Sequence, residues 1–248
     1  MNDKVTHFGF RDIPKDQKSK LVGEVFHSVA NQYDVMNDVM SFGAHRLWKR
    51  YAVSQSSVKA GSTVLDVAAG SGDVSSRFCD RVGPTGRVIV TDINESMLRV
   101  GRDRLINDGY SKNLNFGLAD AQFLPFQSNF FDCISISFGL RNVTDKSTAL
   151  TSMYRCLKPG GRLLVLEFST PVLPLLAKAY DQYSFNVIPK MGELITGDKA
   201  SYQYLVESIR KHPAQNELKN LMLESGFDHA RYHNLTGGVV ALHIGYKY

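Results

Sequence analysis

The feature that most restricts this chain is Val64-Leu-Asp-Val-Ala-Ala-Gly-Ser-Gly-Asp73, an apolar run that breaks into a glycine-rich turn. A short apolar run bounded by a turn reads as a buried strand, and Asp73–Val82 behind it has helical spacing. A strand that passes through Gly70-Ser-Gly72 into a helix leaves the helix's first N–H groups free to meet a polar or anionic ligand group. Glycines there let the chain turn tightly and let a ligand lie against the backbone. The turn alone does not choose among ligands. A dinucleotide fingerprint needs GxGxxG, and the third glycine position, counted from Gly70, holds Ser75. Asp66, an acid inside the end of the strand, suits a cationic ligand better. The plainer reading is a surface turn capped by Asp73.

Four more apolar runs follow: Arg87–Thr91 ending at Asp92, Asn115–Ala119 ending at Asp120, Cys133–Ser137 and Arg162–Phe168. Between them Glu95–Asp108 and Lys146–Leu157 read as helices, the second closed by Lys158-Pro-Gly-Gly161. Strands apolar throughout and alternating with helices predict a parallel sheet covered on both faces. Helices are expected at Ser201–Arg210 and Ala214–Ser225, with Gly226 as the C-cap of the latter. His229–Leu235 and Val239–Tyr246, joined through Thr236-Gly-Gly238, add a terminal hairpin. The expected architecture is therefore α/β, a seven-stranded mixed sheet, mostly parallel with the last strand antiparallel, with helices on both faces.

Upstream, Leu21, Val22, Val25, Phe26 and Val29 predict a helix from Lys15 to about Tyr33, and His45–Gln55 predicts another. Asp34–Gly43 between them reads as a structured loop, and the first dozen residues as loose. The expected division is an N-terminal helical extension over residues 1–55, packed as a lid on a 56–248 core, with a helical insertion at about 171–212.

At 248 residues, 43% hydrophobic and 21% charged, the chain is an ordinary globular sequence long enough to bury roughly 70–75% of its unfolded surface. Its net charge is +5, but the basic residues are dispersed, and Arg46, Lys49 and Arg50 form the densest cluster. No basic stripe interleaved with aromatics is seen, so nucleic acid is not an expected partner. Cys79, Cys133 and Cys156 form no CxxC pair, and no metal-ligand cluster is visible. The polar start of the chain and the lack of a long apolar window lead us to expect a cytoplasmic protein.

Asp92, twenty residues after Gly72, is placed to accept both hydroxyls of a ribose, or else to cap the helix that begins at Glu95. Asp120 can accept an adenine amino group while the Ala121 N–H donates to a ring nitrogen. Acids and glycines at consecutive strand ends converge where open α/β sheets bind ligands.

The glycine loop, Leu124-Pro-Phe126, Phe131-Asp132, Leu157-Lys-Pro-Gly-Gly161 and the terminal hairpin together resemble the class I methyltransferases. Phe26-His-Ser-Val-Ala30, Tyr33-Asp-Val-Met-Asn-Asp38, His45-Arg-Leu-Trp-Lys49, Asp92-Ile-Asn-Glu-Ser-Met97, Ile136-Ser-Phe-Gly-Leu-Arg-Asn-Val143 and Leu166-Glu-Phe168 resemble one branch, the ubiquinone/menaquinone biosynthesis C-methyltransferases. The likeness runs from about Thr6 to the last residue. It implies the Rossmann-like class I fold and S-adenosyl-L-methionine as cofactor, bound by Asp66, Gly70, Ser71, Gly72, Asp92, Asp120, Ala121 and Ser137. Ala68 stands where the broad class has its first glycine, and Asp120 where the family often has Asn.

The resemblance also implies C-methylation of a polyprenyl benzoquinol or naphthoquinol. A quinone ring carbon is electrophilic, so the acceptor must be the reduced form, and a phenolic proton must be taken or relayed. Arg141, Asn142 and Tyr33 are the catalytic candidates. Arg141 is too basic to be a plain base and is expected to face the methyl and lower the quinol pKa, unless it is simply ion-paired to a neighbour. His27 and His45 are left out. Val172–Ile195, apolar and aromatic, would roof a tunnel for the isoprenoid tail, rest as a reversible contact on the inner membrane, or be ordinary core. A homodimer or a quinone-biosynthesis complex is the expected assembly. The rival readings are O- or N-methylation of another small molecule and a non-catalytic scaffold.

Overall fold

The computed structural model describes residues 5–29, 37–38, 40–172, 174–196 and 198–248. It opens with an antiparallel hairpin, β1 (Val5–Phe8) and β2 (Arg11–Pro14), where the sequence suggested loose chain. Strands of four residues are too short to show a period. What orders them is tertiary: the Phe8 ring stacks on Tyr204 at 4.2 Å, and the Phe10 N–H donates to the Glu207 carboxylate at 3.1 Å. Helix α1 (Lys15–Val29) follows. The remainder of the expected helix, including Tyr33, lies outside the described residues. Asn37, Asp38, Met40 and Ser41 are helical rather than loop, with the Ser41 hydroxyl on the Asn37 carbonyl at 2.6 Å. Helix α2 (His45–Ser54) then leads to the sheet.

The core alternates as the apolar runs require: β3 (Thr63–Val67), α3 (Asp73–Val82), β4 (Arg87–Asp92), α4 (Glu95–Asn107), β5 (Leu114–Leu118), β6 (Phe131–Ser137), α5 (Lys146–Cys156) and β7 (Leu157–Phe168). Beyond it come α6 (Pro174–Gln182), a π-helical turn at Tyr183–Val187, α7 (Ile188–Thr196), α8 (Lys199–Arg210) and α9 (Gln215–Glu224). The terminal hairpin is β8 (His229–Leu235) and β9 (Val240–Tyr246). Seven strands join in the order β5-β4-β3-β6-β7-β9-β8. Pairing is parallel from β5 to β7, and β9 runs antiparallel to both of its neighbours.

The continuous apolar runs are explained by coverage on both faces. Val64, Leu164 and Leu166 pack in one cluster with Phe78 of α3 and Trp48 of α2. Their strand neighbours Leu65, Leu163 and Val165 pack in a second cluster with Leu150 and Met153 of α5 and Met222 of α9. Each such side chain contributes about 1.5–3 kcal/mol when fully buried. From β3 the chain winds outward through β4 to β5, then returns to lay β6 on the other side of β3. The crevice beyond the carboxyl ends of β3 and β6 is the place where doubly wound sheets hold ligands. In the segment after β7, Ile188 is core while Phe185 and Val187 stay exposed. Among the described residues no helix is long and apolar enough to cross a membrane.

Because the Phe8–Tyr204 stack is the main apolar anchor of the hairpin, Phe8→Ala should release it locally. Amide exchange protection over residues 5–14 is expected to fall sharply, with β3–β7 unchanged, and total stability to drop by about 3 kcal/mol. Unchanged hairpin protection would show that the anchor lies elsewhere.

Candidate cofactor and active site

The site begins with a buried acid. Asp66 lies level with Ser135 across the β3–β6 register, which brings the Ser135 hydroxyl onto Oδ1. The Ser75 hydroxyl, one turn into α3, donates to Oδ2 at 2.6 Å. With Asp66 only 1% exposed, burial pushes its carboxyl up to about 6, the two hydroxyls opposing. After Val67 the chain enters a left-handed stretch: Ala68 has φ 51°, Gly70 φ 55° and Gly72 φ 77°. Such a backbone costs a residue with a Cβ about 1–2 kcal/mol, which Ala68 bears. Helix α4 packs directly on this turn, since a Cβ at Gly101 would sit 2.3 Å from the Gly70 carbonyl oxygen.

Asp92 ends β4 beside the turn. Its Oδ2 accepts from the Gly70 N–H at 3.0 Å and its Oδ1 from the Asn94 N–H at 2.9 Å. Burial raises its pKa, and these N–H donors oppose the rise. The capping role falls to Asn94, whose side chain accepts from the Met97 N–H, so the cap reading of Asp92 is not needed. Asp120 follows β5 and accepts from the backbone and side-chain nitrogens of Gln122.

Gly70, Asp92, Asp120 and Ala121 share the walls of one cleft. A smaller lobe is walled by Asp66, Ser71, Asp73 and Ser137 together with Lys49. Ala68 and Phe138 line both, so the lobe and the cleft lie side by side at the glycine turn. Gly72 stands behind the turn against Leu105 rather than on either wall. Ser19, Val22, Gly23 and Phe26 of α1 roof the cleft, and the Asn94 side chain donates to the Gly23 carbonyl at 3.1 Å, tying roof to wall.

The catalytic candidates separate. Asn142 lines the cleft, and its Oδ1 accepts from the Tyr204 hydroxyl at 2.9 Å. Arg141, expected to face the cleft, is 4% exposed and turned inward. Its Nη1 donates to Glu167 Oε2 at 3.0 Å and to the Phe138 carbonyl, while its backbone N–H donates to Glu167 Oε1 at 3.1 Å. A cation buried to this degree needs a counter-charge, and Glu167 on β7 supplies it. Tyr33 lies outside the described residues, so its place relative to the cleft is not part of the geometry.

A family model described as the ubiE/COQ5 methyltransferase family matches residues 14–247. The chain belongs to the ubiE/COQ5 methyltransferase family. A Francisella tularensis subsp. novicida protein named ubiquinone/menaquinone biosynthesis C-methyltransferase UbiE is 58% identical over 99% of this chain and 98% of its own length. A Pseudomonas fluorescens protein of the same name is 60% identical over 99% of this chain and 96% of its own. Among solved structures, a SAM-dependent methyltransferase from Aquifex aeolicus superposes with a TM-score of 0.57 at 16% identity, covering 94% of this chain and 98% of that one. Phosphoethanolamine N-methyltransferase 2 of Haemonchus contortus, in complex with S-adenosyl-L-methionine, gives 0.56 at 19% identity over 76% of this chain and 38% of that one. At such identities the likeness is one of fold, the class I methyltransferase fold.

Several groups around the cleft escaped the sequence reading. Gly101 was hidden inside a helix, where only an isolated glycine in an otherwise periodic run hints at close packing. Lys18 of α1 is buried, and its ammonium donates to the Val143 carbonyl at 3.2 Å. Burial, then the charge of Lys146, pushes it down to about 7. Lys49 looked like part of a surface basic cluster, yet it is buried against Asp73.

Asp66 sets a pH dependence. Its carboxyl titrates at about 6 in the folded chain and at 3.8 when unfolded, so the folded state holds the extra proton across that window. The associated stability is full below about pH 4 and is lost as pH rises through 6. Urea unfolding of the wild type and Asp66→Asn at pH 4 and pH 7.5 should show the difference moving toward the variant by about 3 kcal/mol. A pH-independent offset would contradict the buried-acid assignment.

Proposed function

We propose that this chain transfers a methyl group from S-adenosyl-L-methionine to a ring carbon of a polyprenyl benzoquinol or naphthoquinol in ubiquinone and menaquinone biosynthesis. The observation that carries the reading is the meeting of Gly70, Asp92 and Asp120 on one cleft, in a chain 58–60% identical to proteins of that name. The residues fit the cofactor. Asp92 is buried beside a glycine turn at the position for ribose hydroxyls, Asp120 and Ala121 lie one strand further for adenine, and the acid-lined lobe with Ser71 and Ser137 receives the cationic methionyl end. The cofactor supplies an electrophilic methyl group on a sulfonium.

The chain's own task is to hold an electron-rich ring carbon in line with that methyl, and positioning of this kind is worth roughly 7–11 kcal/mol. The apolar roof from Val22 and Phe26 excludes water above the cleft. Asn142 offers its amide to a phenolic oxygen, with Tyr204 fixing its orientation. Arg141, its charge offset by Glu167, serves by fixing the turn from Phe138 to Asn142, and its electrostatic effect on the quinol is reduced accordingly. Tyr33 completes the proposed hydrogen-bond set.

Purified protein with labelled cofactor and a short-tailed demethylated quinol should place label on a ring carbon of the reduced acceptor and none on the oxidised one. Asn142→Ala should lower turnover about 100-fold at saturating cofactor. Label on a phenolic oxygen, or equal transfer to the quinone, would overturn the reading.

A lipid-tailed acceptor also calls for contact with the bilayer. Phe42 and Leu47, 80% and 69% exposed, project beside the exposed Arg46 and Arg50, and the Phe42 ring meets Tyr183 of the π-helical turn that carries Phe185 and Val187. Apolar tips flanked by cations are suited to reversible binding at an anionic surface. Flotation with vesicles containing phosphatidylglycerol is expected for the wild type and lost in a Phe42→Ser/Leu47→Ser variant, with turnover of a water-soluble quinol unchanged. A wild type that stays in the dense fraction would refute this contact.

A further inference from the structure

We propose that Lys49 recognises the α-carboxylate of the cofactor's methionyl end, so that helix α2 contributes directly to cofactor binding. The inference rests on the S-adenosylmethionine reading above.

Lys49 lies between the exposed Arg46 and Arg50 on α2 but is itself only 5% exposed. Lysines are almost never buried without a partner, because an ammonium loses its hydration there. Among the described residues its ion partner is Asp73, whose Oδ2 lies 3.1 Å from Nζ. That carboxylate is shared, since Arg77 Nη2 lies 3.2 Å from Oδ1. Burial pushes the Asp73 pKa up, but Lys49 and Arg77 outweigh it and hold the acid below the usual carboxylate range. One carboxylate thus faces two cations. An ammonium has three N–H donors, and Asp73 occupies the direction toward α3.

The second acid of the lobe is engaged elsewhere. Both oxygens of Asp66 are taken by the Ser75 and Ser135 hydroxyls, which leaves the further N–H donors of Lys49 to other partners. An anionic group reaching this lobe would meet Lys49 at the amino end of α3, where the helix dipole also favours negative charge. Lys49 is the one basic side chain among the described walls of this lobe. The lobe adjoins the cleft at Ala68 and Phe138, which line both, and Asp120 lines only the cleft. A ligand with its adenine at Asp120 and ribose at Asp92 would extend its amino-acid end here. The only anionic group of that ligand is the α-carboxylate.

The competing account makes Lys49 a strut that ties α2 to α3 through Asp73. Isothermal titration with two ligands separates the two: S-adenosylhomocysteine, and its decarboxylated counterpart, which keeps the amine and thioether but lacks the carboxylate. In the wild type, removing the carboxylate should weaken binding about tenfold or more, the range of a hydrogen-bonded charge pair. In Lys49→Met the two ligands should bind alike, and Lys49→Arg should restore most of the preference. A preference retained in Lys49→Met, with both ligands weakened equally, would establish the strut and overturn the proposal. The wild-type comparison stands even if Lys49→Met fails to fold: equal affinities there overturn the proposal alone. A wild type that binds neither ligand overturns the cofactor reading and the proposal with it.

Discussion

The structure depends on a carboxyl group removed from water. Asp66 is held by hydroxyls from β6 and α3, so three elements that diverge in sequence meet on one side chain at the point where the sheet changes direction. That contact sets how the glycine turn leaves β3, and the turn in turn offers its Gly70 N–H to Asp92 on β4. A buried acid costs stability when ionised. The chain bears that cost where a cationic ligand would offset it, a common feature of functional sites.

Over this core the N-terminal segment adds a wall to the crevice, from Ser19, Val22, Gly23 and Phe26 of α1. Phe8 is fastened to Tyr204, the α1 backbone at Gly23 to Asn94, Trp48 to Thr236 and Lys49 to Asp73. These ties reach α8, the β4–α4 loop, the terminal hairpin and the amino end of α3, so the N-terminal segment is fixed to several elements of the core. Methyl transfer to a carbon gains from such a wall, since a poorly nucleophilic ring atom must be aligned and water kept from competing.

The ion pair of Arg141 and Glu167 is a different kind of element. Removing one partner of a buried pair costs about 3–5 kcal/mol, because the other charge is left without compensation. Loss of activity on replacing Arg141 therefore mixes a structural penalty with any chemical one. The turn that the pair supports presents Asn142 to the cleft, and Tyr204 of α8 holds that amide from the far side. The helices after β7 are thereby coupled to the wall of the cleft that carries Asn142.

The seven strands with the last one antiparallel, the convergence of Gly70, Asp92 and Asp120, and the cap at Gly226 were all legible in the amino-acid sequence. Each is written in local signals: apolar runs with turn residues between them, and acids at the ends of those runs. The hairpin of residues 5–14, the inward turn of Arg141 and the burial of Lys49 were not. A four-residue strand has no period to read, and Lys49 sits between two surface arginines with nothing local to set it apart. Their environments are created by partners about 24 to 197 residues away along the chain, Asp73 for Lys49, Glu167 for Arg141 and Glu207 for Phe10 among them. Local pattern determines which elements form and which residues end them; whether a charge faces solvent or a counter-charge is decided only when distant elements pack, because desolvation depends on all neighbours at once.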